Sequence, residues 1–231
     1  MKRKKSKKMP STVVFGDIHG STFWEKVVEI HPDCHYIFLG DYIDPYEDIS
    51  CVQLIDNLKK IIEFKKEHEE EVILLLGNHD LHYFCSDISP SWRFDFSLAE
   101  EVSTLFRENI HLFTYAYQIE NCIFTHAGIS EKWFLEDFKG DVDKNIAEQL
   151  NSPLEEQVAA LCRCGKARGG NEGDIGGIFW ADLSELNNPL PGFTQVVGHN
   201  RVNDICDYTN NGGRLIFCDC FFNEKYLKLD F

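Results

Sequence analysis

Three short apolar runs, each followed by glycine and a polar residue, lie in the first third of the chain. They occupy residues 12–15 (TVVF), 36–39 (YIFL) and 72–76 (VILLL), and they lead into Gly-Asp, Gly-Asp and Gly-Asn. Apolar runs of this length bounded by glycine indicate strands that are covered on both faces. Residues 21–30 and 49–66 separate them and carry apolar positions at helical spacing. This alternation predicts parallel βαβ units and therefore an α/β fold.

The rest of the chain has a weaker pattern. We expect Asp48 to cap the second helix, and Ser97 with Glu100 to form a capping box for a helix over 97–108. Further predicted elements are strands at 112–118, 121–125, 194–198, 214–221 and 225–231, and a mostly helical stretch at 130–164. Residues 165–177 hold six glycines without the P-loop spacing, which predicts a mobile surface loop. Because no repeat or composition break is present, we expect residues 11–231 to form a single domain.

Composition narrows the class of protein. Hydrophobic residues make up 43% and aromatic residues 13% of the 231 positions, as in a well-packed globular protein. No apolar stretch is long enough to span a membrane, and no apolar signal-peptide region follows the N-terminus. Nine cysteines are an odd number, which fits reduced thiols better than a disulfide framework. These features predict a cytoplasmic protein.

The charge is uneven along the chain. The formal net charge is −15, yet residues 1–10 (MKRKKSKKMP) hold six of the 23 basic residues, so the remainder carries −21. A body of that charge should repel a polyanion, which argues against nucleic acid as a general partner. We expect the basic tail, residues 1–10, to be disordered and solvated, although it could touch an anionic partner.

Polar residues that can bind metals follow the predicted strands. They are Asp17 and His19 in GDIHG, Asp41 and Asp44 in GDYID, Asn78 and His79 in GNHD, His126 in THAG and His199 in GHNR. Taken singly, each pair after a strand is ordinary turn chemistry. Five such endings together offer carboxylate, imidazole and amide oxygen without thiolate, a donor set suited to Mn²⁺, Fe or Zn²⁺. There are enough donors for two ions, the arrangement used for displacement at phosphorus.

As an ordered set, GDIHG, GDYID, GNHD, HAG and GH resemble the motifs of the calcineurin-like metallophosphoesterases. The stretch at 178–183 (IFWADL) is similar to a segment of the phosphoprotein phosphatase branch, and the motifs span residues 16–199. This resemblance implies a four-layer fold, in which a two-sheet β-sandwich is flanked by helices and carries a dimetal site at the C-terminal ends of its strands. It also implies two divalent ions, of which Mn²⁺ is the first expectation and Fe or Zn²⁺ the alternatives.

The resemblance also assigns roles. Asp17, His19 and Asp41 would hold one ion. Asp41, Asn78, His126 and His199 would hold the other, with Asp41 bridging the two. A hydroxide between the ions would attack phosphorus, His79 would protonate the leaving oxygen, and Asp44 would orient His79.

Pro45 departs from the family pattern. The motif usually continues with Arg-Gly after the second aspartate, and that arginine grips the substrate phosphate, whereas Pro45 and Tyr46 follow Asp44. A replacement clamp would have to come from elsewhere in the chain. Arg201, Arg168 and Arg93 are the candidates, with ordinary surface ion pairs as the competing interpretation.

The substrate class stays open at this stage. GNHDLH, HAGIS and FCDCFF are similar to the symmetrical diadenosine tetraphosphatases, whereas Asp44 and the Trp180-Ala181-Asp182 segment look more like protein phosphatases. We rank phosphomonoesters, including phosphoserine and phosphothreonine in proteins, slightly above dinucleotide polyphosphates. Two further alternatives are a catalytically weak metal-binding scaffold and a phosphoesterase that processes nucleic acid. The partner would therefore be a phosphorylated protein or a small-molecule or nucleotide substrate.

Overall fold

Ten strands form two five-stranded sheets in the computed structural model, which describes residues 10–85 and 93–231. The strands are β1 (Thr12–Phe15), β2 (His35–Phe38), β3 (Val72–Leu75), β4 (Phe113–Thr114), β5 (Ala116–Ile119), β6 (Cys122–Thr125), β7 (Thr194–Val197), β8 (Cys206–Asn210), β9 (Gly213–Phe217) and β10 (Leu227–Leu229). The first sheet has the order β10-β1-β2-β3-β4 and the second the order β5-β6-β7-β9-β8.

Both sheets are mixed. Strands β1 to β4 run parallel and β10 joins the first sheet antiparallel to β1. In the second sheet β6, β7 and β9 run parallel, with β5 and β8 antiparallel at the edges. Parallel neighbours bring their carboxyl ends to one edge, which is where ligands bind in such sheets. Each sheet therefore presents one row of strand ends for a site.

The two sheets pack face to face. One core cluster joins Val14, Ile37 and Leu75 of the first sheet to Phe124, Val196 and Ile216 of the second. The residues beside Val14 and Ile37 in their strands face the other way, against helices, so both faces are buried. This explains why the strands read as continuous apolar runs, and it confirms the predicted α/β sandwich flanked by helices.

Six α-helices cover the sheets. They are α1 (Phe23–Ile30), α2 (Cys51–Glu67), α3 (Asn78–Phe84), α4 (Ala99–Asn109), α5 (Ile146–Asn151) and α6 (Glu155–Cys162), among the described residues. The prediction that Asp48 caps α2 is wrong, because Ser50 occupies the N-cap and forms a capping box with Gln53. The capping box predicted at Ser97 is also absent, since the Ser97 hydroxyl donates to Asp95 instead.

The predicted strand at 112–118 is in fact two strands in different sheets, β4 and β5. Asn151, at the end of α5, explains the break. Its side-chain oxygen accepts the backbone N–H groups of Tyr115 and Ala116 at 2.9 and 3.0 Å. Those two groups are thereby satisfied outside a strand ladder, and the chain crosses from one sheet to the other.

Two further differences concern the second half of the chain. The stretch at 130–164 is less helical than predicted, because α5, α6 and a π-helical turn at Trp133–Asp137 are separated by loops. Strand β8 was not predicted, since all five of its residues are exposed and lack apolar alternation. The turn residues Asn211 and Gly212, both at positive φ, are the signal that could have found this hairpin.

The predicted basic tail lies outside the described residues except for Pro10, and so do residues 86–92. In the part of the chain that is described, no helix combines the length and the apolar character needed to cross a membrane.

Candidate active site

The polar residues that follow the strands of both sheets come together at one place. Asp17 follows β1, Asp41 follows β2 and Asn78 follows β3, all in the first sheet. His126 follows β6 and His199 follows β7 in the second sheet. The sandwich places these two rows of strand ends beside each other, so every donor predicted from the motifs lies in a single cluster.

Two imidazoles converge on the side chain of Asn78. His126 Nε2 lies 2.9 Å and His199 Nδ1 lies 2.8 Å from Asn78 Oδ1. His126 Nε2 is also 3.5 Å from Asp41 Oδ2. Imidazole nitrogen and amide oxygen therefore lie beside the carboxylate of Asp41.

Asp41 belongs to a second group of donors as well. Ligand atoms of Asp17, Asp41 and His126 all lie within 4.8 Å of one another. His19 Nε2 lies 3.8 Å from Asp41 Oδ2, which brings a further imidazole to the same carboxylate. Asp41 therefore lies close to Asp17, His19 and His126, as the expected bridging ligand would.

Burial shifts the pKa values of the clustered carboxyl groups and imidazoles. Burial raises the pKa of Asp17 and of Asp41 well above the usual range, and nearby carboxylates add to both shifts. Burial likewise lowers the pKa of His19 and of His126 to about 3, so both imidazoles are neutral at physiological pH. Neutral imidazoles are ready to bind a metal, and buried carboxylates gain most from a positive charge. The residues present therefore fit metal ions.

Hydrogen bonds orient the histidine rings. His19 Nδ1 donates to the carbonyl of Ile43 at 2.9 Å, and His126 Nδ1 donates to the carbonyl of Leu39 at 2.8 Å. These bonds assign the proton to Nδ1 and leave Nε2 of each ring as the lone-pair donor that faces the cluster. Such a second hydrogen bond is the usual way in which proteins fix metal-ligating histidines.

Four residues of the site that are not glycine have strained backbone conformations. His19, Asp41, Asp44 and His199 have φ values of 43°, 54°, 60° and 59°, in the left-handed region that non-glycine residues rarely adopt. Strain of this kind costs of order 1–3 kcal/mol per residue and clusters at functional sites.

Glycine is required beside two of the carboxylates because of close approach. A Cβ at Gly77 would lie 2.1 Å from Asp41 Oδ1, and a Cβ at Gly198 would lie 2.1 Å from Asp17 Oδ1. The glycines of GNHD and GHNR therefore leave space for the ligands contributed by other strands.

Asp80 holds two turns of the site together by hydrogen bonds, and the sequence alone assigns it no role. Its carboxylate accepts backbone N–H groups from Asp41, Tyr42 and Gly77, at 2.8, 2.9 and 2.8 Å. It therefore ties the turn after β2 to the turn after β3. The last letter of GNHD was the available signal, but an acidic residue in the first turn of a helix is common for other reasons.

His79 and Asp44 form a pair beside the metal donors. His79 Nδ1 lies 2.7 Å from Asp44 Oδ2, and the Tyr83 hydroxyl donates to the other oxygen of Asp44. The backbone N–H of His79 also donates to Asp41 Oδ1 at 2.9 Å. His79 is thus fixed both to its carboxylate partner and to the candidate bridging ligand.

The three candidate arginines all surround this cluster. The Arg168 guanidinium donates to Asp182 Oδ2 at 2.8 Å and to Asn200 Oδ1 at 2.7 Å. Burial lowers the pKa of His199, and the charges of His126 and Arg168 add to that shift. Sequence reasoning had identified Arg168 but not Asn200, the residue that positions it.

Arg93 and Arg201 meet on the ring of Tyr46. Their guanidinium carbons lie 3.5 and 4.2 Å from the ring centroid. Arg93 also donates to the carbonyl of Pro45 at 3.1 Å. The site that lacks the expected arginine after Asp44 therefore has two arginines from distant parts of the chain.

Asp219 is a further buried carboxylate that the motifs did not single out. It lies beside Asp17, and burial raises its pKa to about 6 while the charges of Arg201 and Arg168 act in the opposite direction. A single acidic residue after a strand is common, so the FCDCFF stretch does not single out Asp219 from sequence.

A model of the calcineurin-like phosphoesterase family matches residues 10–218 of the chain. The chain belongs to the calcineurin-like phosphoesterase family. This membership places it among hydrolases that depend on two metal ions, and it confirms the resemblance seen in the motifs.

Individual relatives of this phosphoesterase are distant. A protein phosphatase 2A catalytic subunit from Dictyostelium discoideum is 37% identical over 78 residues, which are 31% of this chain and 22% of that protein. This chain thus matches only about a fifth of the relative's length.

Solved structures of two phosphatases resemble the whole chain. A cold-active protein-tyrosine phosphatase from a psychrophilic Shewanella species has a TM-score of 0.58 and 15% identity, and the match covers 94% of this chain and 72% of the Shewanella chain. A point mutant of a cold-active protein tyrosine phosphatase gives a TM-score of 0.57 at 15% identity, with 96% and 76% coverage. These structures show the same fold.

Proposed function

We propose that this phosphoesterase hydrolyses phosphomonoesters, with phosphoserine and phosphothreonine in proteins as the first substrate class. The observation that carries the proposal is the single cluster formed by strand ends of both sheets, next to the His79–Asp44 pair. Metal donors and a candidate proton donor therefore share one site, and Asp41 contacts both groups of donors and the backbone of His79.

Two ions would be held by this chain's own donors. Asp17, His19 and Asp41 would bind one ion, and Asp41, Asn78, His126 and His199 the other. We propose Mn²⁺, with Fe or Zn²⁺ as alternatives, because the donors are oxygen and imidazole nitrogen without thiolate. Bound ions of this kind supply charge neutralisation at the phosphoryl group and lower the pKa of water.

His79 is proposed as the general acid. Its Nδ1 is engaged by Asp44, so Nε2 is the atom that would pass a proton to the leaving oxygen. Asp44 fixes the ring orientation, and Tyr83 fixes Asp44 by donating to its second oxygen. Arg168, Arg93 and Arg201 would bind the phosphoryl oxygens, since guanidinium groups match phosphate geometry with paired N–H donors.

The surface beside the site favours a peptide over a dinucleotide polyphosphate. A cavity of about 850 Å³ is lined by residues that include Gly20, which directly follows His19, and Phe222. Its acidic lining residues are Glu47, Asp48, Asp56 and Glu224. Its lysines are Lys26 and Lys60, and Lys60 is paired with Glu25 at 2.8 Å. This lining, on a body of net charge −21, repels a highly anionic dinucleotide more than a peptide carrying one phosphate.

Two other functions are kept as alternatives. Hydrolysis of dinucleotide polyphosphates is supported by the GNHDLH and FCDCFF stretches. Phosphotyrosine belongs among the substrates to be tested, because the Shewanella structure is named a protein-tyrosine phosphatase.

We also propose a cytoplasmic location, since all nine cysteines lie within the described residues and are free thiols.

The test compares substrates on purified protein loaded with Mn²⁺. Phosphoserine, phosphothreonine and phosphotyrosine peptides and diadenosine tetraphosphate are assayed in parallel, with Asp41→Asn as the blank. Phosphate release from peptides, absent in the blank, supports the proposal. Release of ADP from the dinucleotide alone overturns it in favour of the nucleotide function, and no turnover of any substrate favours a metal-binding scaffold.

A further inference from the structure

Tyr46 occupies an unusual position beside the candidate metal ligands. Its ring meets the ring of His19 edge-on, with centroids 4.8 Å apart and planes at 87°. Pro45, whose ring restricts the backbone, precedes it directly. Tyr46 is 41% exposed, so one part of the ring packs in the site and the rest faces solvent.

Two cations lie over the ring of Tyr46. The guanidinium carbons of Arg93 and Arg201 lie 3.5 and 4.2 Å from the Tyr46 ring centroid. Arg201 is also stacked on Phe222, at 3.7 Å from that ring centroid. The arginines come from separate segments of the chain and meet over a ring that contacts a candidate metal ligand. Guanidinium groups bind phosphoryl oxygens through paired hydrogen bonds, so this position suits recognition of a phosphoryl group.

Stacking on rings suits this role. A guanidinium that stacks on a ring by its flat face keeps its N–H donors at its own edges, in a plane parallel to the ring, where they can form paired hydrogen bonds to an oxyanion. Arg201 lies over both Tyr46 and Phe222 in this way. Tyr46 itself contacts the ring of His19, so both cations are held beside a candidate metal ligand.

We propose that Tyr46 is a positioning residue that holds Arg93 and Arg201 as a two-arginine clamp for the substrate's phosphoryl group. The inference rests on the proposed function, because it names how that same site binds phosphate. It also accounts for the sequence Asp44-Pro45-Tyr46. No arginine follows Asp44 there, and Tyr46 instead holds two arginines that come from other segments of the chain. The ring, and not the phenolic hydroxyl, is the part that acts.

The experiment measures phosphate affinity in Mn²⁺-loaded protein, by calorimetry with inorganic phosphate and by competition in p-nitrophenyl phosphate hydrolysis. Tyr46→Leu removes the ring and is expected to weaken phosphate binding about tenfold and to raise KM more than it lowers kcat. Tyr46→Phe keeps the ring and should stay within about twofold of wild type. Tyr208→Leu is the matched control, since Tyr208 is 38% exposed and lies on the edge strand β8.

Coupling to the arginine separates positioning from an unrelated loss. Arg201→Gln alone should weaken phosphate binding about as much as Tyr46→Leu, and the double variant should be little worse than either, because all three lose the same clamp. Unchanged phosphate affinity in Tyr46→Leu, equal losses in Tyr46→Phe and Tyr46→Leu, or strictly additive effects would each overturn the proposal. Metal content is measured in every variant, since a loss explained by a missing ion at His19 also overturns it.

Additional variants cover the case in which Tyr46→Leu does not fold. Tyr46→Trp keeps an aromatic face and should retain phosphate affinity, whereas Arg201→Lys keeps the charge but not the planar group and should lose it. The reverse result overturns the clamp. Failure of the proposed function is distinguishable, because wild-type protein that hydrolyses no phosphoester can still be tested for phosphate binding by calorimetry.

Discussion

His79 and Asp44 are joined by a contact of 2.7 Å between Nδ1 and Oδ2, and the proposed proton transfer depends on this contact. Asp44 is fully enclosed, and its second oxygen accepts the hydroxyl of Tyr83. A carboxylate that is engaged on both oxygens cannot rotate freely, so the imidazole is presented in one orientation. Under the proposed function, Nε2 is then the ring nitrogen that would donate the proton.

Replacement of His79 by asparagine should lower kcat most for poor leaving groups. An alkyl phosphate needs protonation of its leaving oxygen, so we expect a loss of about 10²–10⁴-fold, whereas nitrophenolate leaves with little help. The measurement is kcat for p-nitrophenyl phosphate and for an alkyl phosphate, in wild type and His79→Asn. A similar loss for both substrates would contradict the role of His79 as the acid. Tyr83→Phe, which removes only one hydrogen bond to Asp44, should show the same trend at smaller size.

The position of the donors could be predicted from the sequence because of a general property of parallel strands. Asp17, Asp41 and Asn78 each follow a short apolar run, and parallel strands in one sheet end at the same edge. The arrival of His126 and His199 from a second sheet could not be predicted in this way, and only the family resemblance implied it. Local pattern places residues within a sheet, whereas the packing of two sheets depends on many weak contacts.

The features that sequence reasoning missed are those made by side chains that meet across long separations. Asp80 accepts hydrogen bonds from two different turns, and Tyr46 gathers two arginines that are distant in the chain. Neither relationship leaves a periodic pattern. The break between β4 and β5 has the same origin, because Asn151 competes for backbone N–H groups that a strand pattern assigns to a ladder.

Asp41→Asn should abolish turnover and weaken the binding of at least one ion. The amide that replaces the carboxylate removes the negative charge nearest both donor groups, while its size is unchanged. Calorimetric titration with Mn²⁺ should give two ions per chain in wild type and a lower stoichiometry or affinity in the variant. A variant with full metal content and normal activity would remove Asp41 from the bridging position.

Asp80→Asn should destabilise the fold without removing a metal ligand. Asparagine offers one acceptor oxygen, so at least one of the three N–H groups from Asp41, Tyr42 and Gly77 loses its partner, at a cost of about 1–3 kcal/mol. For a chain of this size, that predicts a fall in Tm of several degrees, roughly 2–4 °C per kcal/mol. Asp143→Asn, at an exposed position, is the matched control and should change Tm little. Equal Tm values for both variants would show that Asp80 does not hold the two turns.

Titration of the buried carboxylates gives a pH dependence whose sign can be worked out. Burial raises the pKa of Asp80 to about 7, against three N–H groups that lower it, and raises the pKa values of Asp17 and Asp41 well above their usual range. The unfolded chain has ordinary carboxyl pKa values near 4. Above about pH 4 the folded metal-free protein therefore holds more protons than the unfolded chain, and these groups reduce its stability as pH rises towards their folded pKa values.

The buried histidines act in the opposite direction, but only below about pH 6.5, where the unfolded imidazoles gain protons that His19 and His126, with pKa values of about 3, do not. Between about pH 6.5 and 8 the carboxylates alone should lower the Tm of the metal-free protein. The same deprotonation strengthens Mn²⁺ binding, because ions no longer compete with protons. We therefore expect the difference in Tm between Mn²⁺-loaded and chelator-treated protein to widen from about pH 6.5 to pH 8, and to widen less in Asp41→Asn. A constant difference across that range would show that these carboxylates are already ionised without metal.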